Sequence, residues 1–133
     1  MTVDQFLHSY VASKEIYEDG AIIFDEGVKG DWVYVILKGK VKVKKRTGKK
    51  MVTLTKLKEG DIFGEIVFLE RRKGDRSASI IAADGLVCVG VLDSELLIKD
   101  YERLSPQLRD LLQNLILKLR TSTNKLCSMI DRI

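Results

Sequence analysis

The sequence predicts a mainly β protein with flanking helices: an antiparallel β-roll, double-stranded and jelly-roll-like, with an N-terminal helix and a long C-terminal helix. Three observations predict it. Between residues 14 and 92, short alternating runs are punctuated by turn pairs at Asp19-Gly20, Glu26-Gly27, Gly30-Asp31, Lys38-Gly39, Thr47-Gly48, Gly60-Asp61 and Asp84-Gly85. Many strands at such regular spacing close as an antiparallel sandwich or roll. The single proline is Pro106, so nothing in that region interrupts a ladder. Beyond Leu92 the pattern becomes helical, with apolar residues three and four apart.

In chain order, Val3, Phe6, Leu7, Tyr10 and Val11 fall on one face of a short amphipathic helix. In the basic stretch from Lys38 to Lys50, Lys40, Lys42 and Lys44 alternate with Val41 and Val43. This reads as a strand with lysines facing water and valines facing the core, the lysines also discouraging edge-to-edge aggregation. An acidic partner or nucleic acid stands as the other reading of those lysines. Asp93 or Ser94 caps a helix to about Arg103, and Ser105-Pro106 opens a second one with a serine cap and proline at the first helical position. That helix carries Leu108, Leu112, Leu115, Leu119, Ser122, Leu126, Met129 and Ile133 on a heptad seam widened by Leu111, Ile116 and Ile130. A second copy of the same helix is the expected partner for its far end. The expected organisation is therefore a roll with its N-terminal helix and first C-terminal helix over residues 1–104, and a long dimerisation helix over 105–133.

Composition narrows the functional classes. The chain has 133 residues, enough for one domain with a proper core. No apolar run reaches the roughly 18 residues of a membrane span, and the start lacks the pattern of a secretory signal. A cytoplasmic protein without membrane association is expected. The net charge of +4 permits an anionic partner without demanding one. Cys88 and Cys127 read as reduced thiols, and the single histidine, His8, cannot complete a metal site with them. No nucleophile motif, histidine pair or phosphate-loop lysine is present, so catalysis, cofactors and metals are not expected.

The chemistry concentrates in residues 60–80. Gly64-Glu65-Ile66-Val67 can open a short helical turn whose free N–H groups suit an anion. Arg76 offers a planar guanidinium able to hold two phosphate oxygens, and Ser77 adds a hydroxyl donor. An ionised Glu65 only accepts hydrogen bonds, so it suits a sugar hydroxyl and not a phosphate. The set describes a ribose phosphate. A structural ion pair between Glu65 and Arg76 is the alternative that residue chemistry leaves open.

Phe63-Gly64-Glu65-Ile66 followed by Arg76-Ser77-Ala78-Ser79-Ile80 resembles the phosphate-binding cassette of the cyclic nucleotide-binding domain family. Upstream, Ile23-Phe24-Asp25-Glu26-Gly27, Gly30-Asp31, Tyr34-Val35-Ile36 and Gly39-Lys40-Val41 resemble the family's early strands and glycine turns in the same order. The resemblance implies an eight-stranded roll around a cAMP or cGMP pocket. It further implies that Glu65 accepts from the ribose 2′-hydroxyl, while Arg76, Ser77 and backbone N–H groups of the 64–68 turn hold the cyclic phosphate. One departure is Val67, where the family usually has Ala or Gly; a branched side chain beside the phosphate is expected either to narrow the pocket or to push the phosphate outward. In the catabolite activator type, adjacent hydroxyl residues of the long helix reach the purine from both subunits. Ser122 and Thr123 resemble that pair, while register selection or fraying near the end of the chain is the other reading of a polar residue on the seam.

The leading expectation is a regulatory, non-enzymatic binding module for cAMP, or less favourably cGMP, acting as a homodimer through its C-terminal helix. The alternatives are a degenerate roll that only dimerises or scaffolds, and a piece of a larger transcription regulator, kinase or channel. No winged helix-turn-helix follows Ile133, so DNA binding is not expected of this chain alone.

Overall fold

The computed structural model describes residues 8–30, 32–64, 76 and 78–131, the side chains of residues 123, 127, 128, 130 and 131 aside. The strands are β1 (Val11–Tyr17), β2 (Ile22–Phe24), β3 (Tyr34–Thr47), β4 (Lys50–Leu57), β5 (Ile62–Phe63) and β6 (Ser79–Leu92), and the helices are α1 (Ser94–Glu102) and α2 (Pro106–Asp131). They form the antiparallel β architecture with a long C-terminal helix that the sequence predicts. The strand order is β1-β6-β3-β4, with β2 also on β6 and β5 also on β3.

The two 14-residue strands, β3 and β6, organise the fold. Lys38-Gly39 and Asp84-Gly85, expected as turns, are instead bends inside these strands. Gly39 has φ +95°, Asp84 +59° and Gly85 +113°, and the β3–β6 register shifts between Ile36 and Lys40 while pairing resumes on either side. Positive φ turns the chain without ending the ladder, so each long strand serves as two successive limbs of the roll. Gly39 is required by its neighbour: a Cβ there would stand 2.6 Å from the Leu86 carbonyl oxygen.

Alternation places one face inside. Tyr34, Ile36, Val41, Phe63, Ile80, Ala82, Val87, Val89 and Val91 form the principal core, with Val43 and Leu57 packed against it. The run Val33–Ile36 is buried throughout because both its faces are covered. Val33, Val35 and Leu92 join a second cluster with Tyr10, Val11, Leu37 and Leu97 of α1. Val11 is thus not helical, as its spacing suggested. It opens β1 opposite Leu92, and Tyr10 lies in a turn. The remainder of the expected N-terminal helix, residues 1–7, lies outside the described residues. The lysine reading also needs one correction. Val41 and Val43 do face the core, but β3 is paired on both sides, so Lys40, Lys42 and Lys44 are not edge residues.

Both predicted caps form. The Asp93 carboxylate accepts from the Leu96 N–H at 3.2 Å, and the Ser105 hydroxyl oxygen accepts from the Leu108 N–H at 3.2 Å. Tyr10 donates to the Asp100 carboxylate and accepts through its carbonyl from the Asp93 N–H, tying α1 to the entry of β1. On α2, Ile116 is buried, whereas Leu108, Leu111, Leu115, Leu119, Leu126 and Met129 are each roughly half exposed on this single chain. No helix among the described residues is long and apolar enough to cross a membrane.

Candidate functional site

Arg76 lies at the approach to β6, and its side chain is only 5% exposed. A buried guanidinium must keep its donors engaged, and the local chain is shaped to do so. Its Nη1 donates to the Gly64 carbonyl oxygen at 3.2 Å, and its Cζ stands 4.3 Å above the centroid of the Phe24 ring. The ring's negative face suits a cation, and more so where water is excluded. Phe24 is itself fixed among aromatics, 6.0 Å from Tyr34 and 5.9 Å from Phe63, while Tyr34 and Phe63 stack at 4.9 Å.

Two glycines make room for this arginine. At Gly30 a Cβ would lie 3.0 Å from Nη2 and 3.1 Å from Nε. At Gly64, which has φ +82°, it would lie 2.8 Å from Nη1 and 2.7 Å from the Trp32 carbonyl oxygen. The backbone is equally engaged. The Arg76 N–H donates to the Val28 carbonyl at 2.8 Å, and the Arg76 carbonyl accepts from the Gly27 N–H at 2.9 Å. The 25–30 loop therefore runs alongside Arg76 and lays Gly30 against its side chain.

Burial lifts the Tyr34 phenol above its ordinary range, Glu15 adds to the shift, and the Arg76 charge opposes it. Burial, then Glu15 and Tyr34, push Tyr17 up to about 12. Both phenols stay neutral donors at physiological pH. Among the described residues, no three of His, Cys, Asp and Glu gather as a metal site would need.

Of the residues the sequence singles out, the structure brings Arg76 and Gly64 into contact. Glu65, Ile66, Val67 and Ser77 lie outside the described residues. Ser122 is an exposed position of α2, and Thr123 belongs to the same helix. Sequence reasoning did not assign Gly30 or Phe24 to the site. Gly30 reads as one more turn glycine and Phe24 as part of an early strand. Only their approach to a residue some fifty positions away gives them a role.

The profile of the family described as "Cyclic nucleotide-binding domain" matches residues 14–99. The cAMP-dependent protein kinase type II regulatory subunit of Drosophila melanogaster is 31% identical over 97 residues, covering 73% of this chain and 24% of that protein. The cGMP-dependent protein kinase 2 of Homo sapiens is 39% identical over 83 residues, covering 61% of this chain and 11% of the kinase. Among solved structures, the cAMP-bound form of the EAL enzyme Bd1971 superposes with a TM-score of 0.78 at 28% identity, covering 85% of this chain and 29% of that one. The matched segment thus spans a quarter or less of these two curated relatives.

Proposed function

We propose, given that the chain belongs to the cyclic nucleotide-binding domain family, that it is a regulatory module that binds cAMP in preference to cGMP and performs no catalysis. The observation that carries this reading is the setting of Arg76. It is a buried guanidinium, clasped by Gly30 and Gly64 and stacked on Phe24, in a stretch that resembles the family's phosphate-binding cassette. A planar donor fork fixed in a low-dielectric site is suited to two phosphate oxygens. Ser77 and the N–H groups of residues 64–68 complete the phosphate contacts. Glu65 accepts from the ribose 2′-hydroxyl, and Ile66 and Val67 wall the pocket.

The exposed seam of α2 supports a parallel homodimer over residues 106–133. In that dimer the hydroxyls of Ser122 and Thr123 reach the purine edge, accepting from an adenine amino group or donating to a guanine carbonyl. Nucleotide entry repositions α1 and α2, and the helices pass the signal to a cytoplasmic partner.

Titration calorimetry with cAMP and cGMP tests the reading. Arg76→Ala removes a bidentate pair of charge-assisted hydrogen bonds, each worth roughly 1.5–3 kcal/mol. The affinity is expected to fall on the order of a hundredfold or more. No heat with either nucleotide would reduce the protein to a scaffolding roll. Unchanged affinity in a folded Arg76→Ala protein would remove Arg76 from the site.

A further inference from the structure

We infer that Glu26 is a positioning residue for Arg76, holding the loop beside the guanidinium to the β3–β4 hairpin. This rests on the nucleotide-binding reading above. The Glu26 carboxylate bridges two elements distant in sequence. Its Oε1 accepts from the Arg46 backbone N–H at 2.8 Å, and its Oε2 stands 3.3 Å from the Lys45 ammonium. The two side chains are 29% and 14% exposed, so solvent screens this pair less than it screens a surface ion pair. Strand pairing explains why the carboxylate is needed. On its β6 side, β3 is paired as far as Lys44 opposite Ser79, and Arg46 lies beyond that point. Glu26 supplies the acceptor that β6 does not.

The other end of Glu26 leads to the arginine. Its N–H donates to the buried Ser79 hydroxyl at 2.8 Å, three residues past Arg76. The next residue, Gly27, donates to the Arg76 carbonyl, and Val28 accepts from the Arg76 N–H. Gly30, at the end of the same loop, lies against Nη2 and Nε. The loop is therefore sewn to the Arg76 backbone on one side and pinned to the hairpin by one carboxylate on the other. Removing the pin frees the loop to relax away from the hairpin and widens the slot that sets the guanidinium's direction. Glu26 touches neither phosphate nor sugar; it acts through Arg76.

The experiment has two arms. In the first, Glu26→Ala and Glu26→Gln are titrated with cAMP, alone and in an Arg76→Lys background. Glu26→Ala is expected to weaken binding about tenfold, the loss of one net hydrogen bond's worth of positioning. Glu26→Gln keeps an acceptor for Arg46 and should recover most of that affinity. In the Arg76→Lys background, Glu26→Ala should have little further effect, whereas a merely structural role would weaken both backgrounds equally. An unchanged affinity in Glu26→Ala, or equal losses in both backgrounds, overturns the inference. The second arm needs no nucleotide: the Arg76 Nε–H resonance in ligand-free protein should be sharp in wild type and broadened in Glu26→Ala. If wild type binds no nucleotide, the functional reading falls, and this resonance alone decides the inference; an identical signal in the variant overturns it.

Discussion

Replacing Gly30 by alanine adds one methyl group directly against the Arg76 guanidinium and removes no charge. The new Cβ would stand 3.0 Å from Nη2, 3.1 Å from Nε and 3.3 Å from Cζ. These are tighter than ordinary contacts, so the guanidinium must retreat by a few tenths of an ångström. It has little room to do so, with the Phe24 ring centroid 4.3 Å from Cζ and the Gly64 carbonyl already at 3.2 Å from Nη1. Stretching that last bond further carries it past useful hydrogen-bond length. The φ of Gly30 lies outside the left-handed region, so the backbone accepts alanine without strain. The unfolded chain meanwhile loses entropy worth about 0.4–1 kcal/mol in favour of the fold. Stability should consequently change by less than about 1 kcal/mol. Misdirecting one charge-assisted donor is worth roughly 1.5–3 kcal/mol of binding, about ten- to hundredfold in affinity. Calorimetry with cAMP beside thermal unfolding of the same samples separates the two effects. A Gly30→Ala protein that binds cAMP as wild type does would refute the claim that this glycine shapes the arginine's seat.

Two further predictions follow from the helix and the interior. Leu115→Lys with Leu119→Lys places two charges on the exposed seam of α2, each at a residue about half exposed in the single chain. Light scattering should find a dimer for wild type and a monomer for the variant, with the β signal in circular dichroism retained; a monomeric wild type contradicts the proposed assembly. Tyr17 donates to Glu15 at 3.3 Å and its phenol is pushed up to about 12, chiefly by burial. Because the folded value lies above the ordinary value of about 10, its contribution is intact below about pH 10 and is lost as pH rises toward 12. Denaturant unfolding at about pH 9 and about pH 11 should show a smaller alkaline loss in Tyr17→Phe than in wild type. Equal losses would contradict the assignment.

Local chemistry was legible in the sequence wherever it needed no distant partner. Asp93 and Ser105 cap helices through N–H groups three residues away, so the caps stand in the sequence itself. The valines of β3 announce their buried face by alternation. Gly39 and Gly85 announce positive φ, but whether a ladder continues through them depends on the opposing strand. Val11 could end a helix or begin a strand on its own spacing, and Leu92 decides the matter from eighty residues away. The site divides in the same way. Arg76 and Gly64 stand out because their neighbours form a compact motif, whereas Phe24, Glu26 and Gly30 acquire roles only when the 25–30 loop is laid along Arg76.

The placement of β6 bears on how the protein is made. This last strand pairs with β1, β2 and β3, whereas β3 also pairs with β4 and β5. A ribosome releases the chain N-terminus first, at about 5–20 residues per second. The β3–β4 hairpin, joined by a tight turn at Gly48, can form as soon as it emerges. β1 and β2, in contrast, have no neighbour in the sheet among the described residues until Ser79–Leu92 arrives. Until then the apolar run at Val33–Ile36 lacks the strand that covers it, a condition that favours chaperone binding and aggregation. The roll thus closes in one late step governed by non-local pairing, which is slow for a domain of this size. The shortest N-terminal fragment able to close it ends at or beyond Leu92.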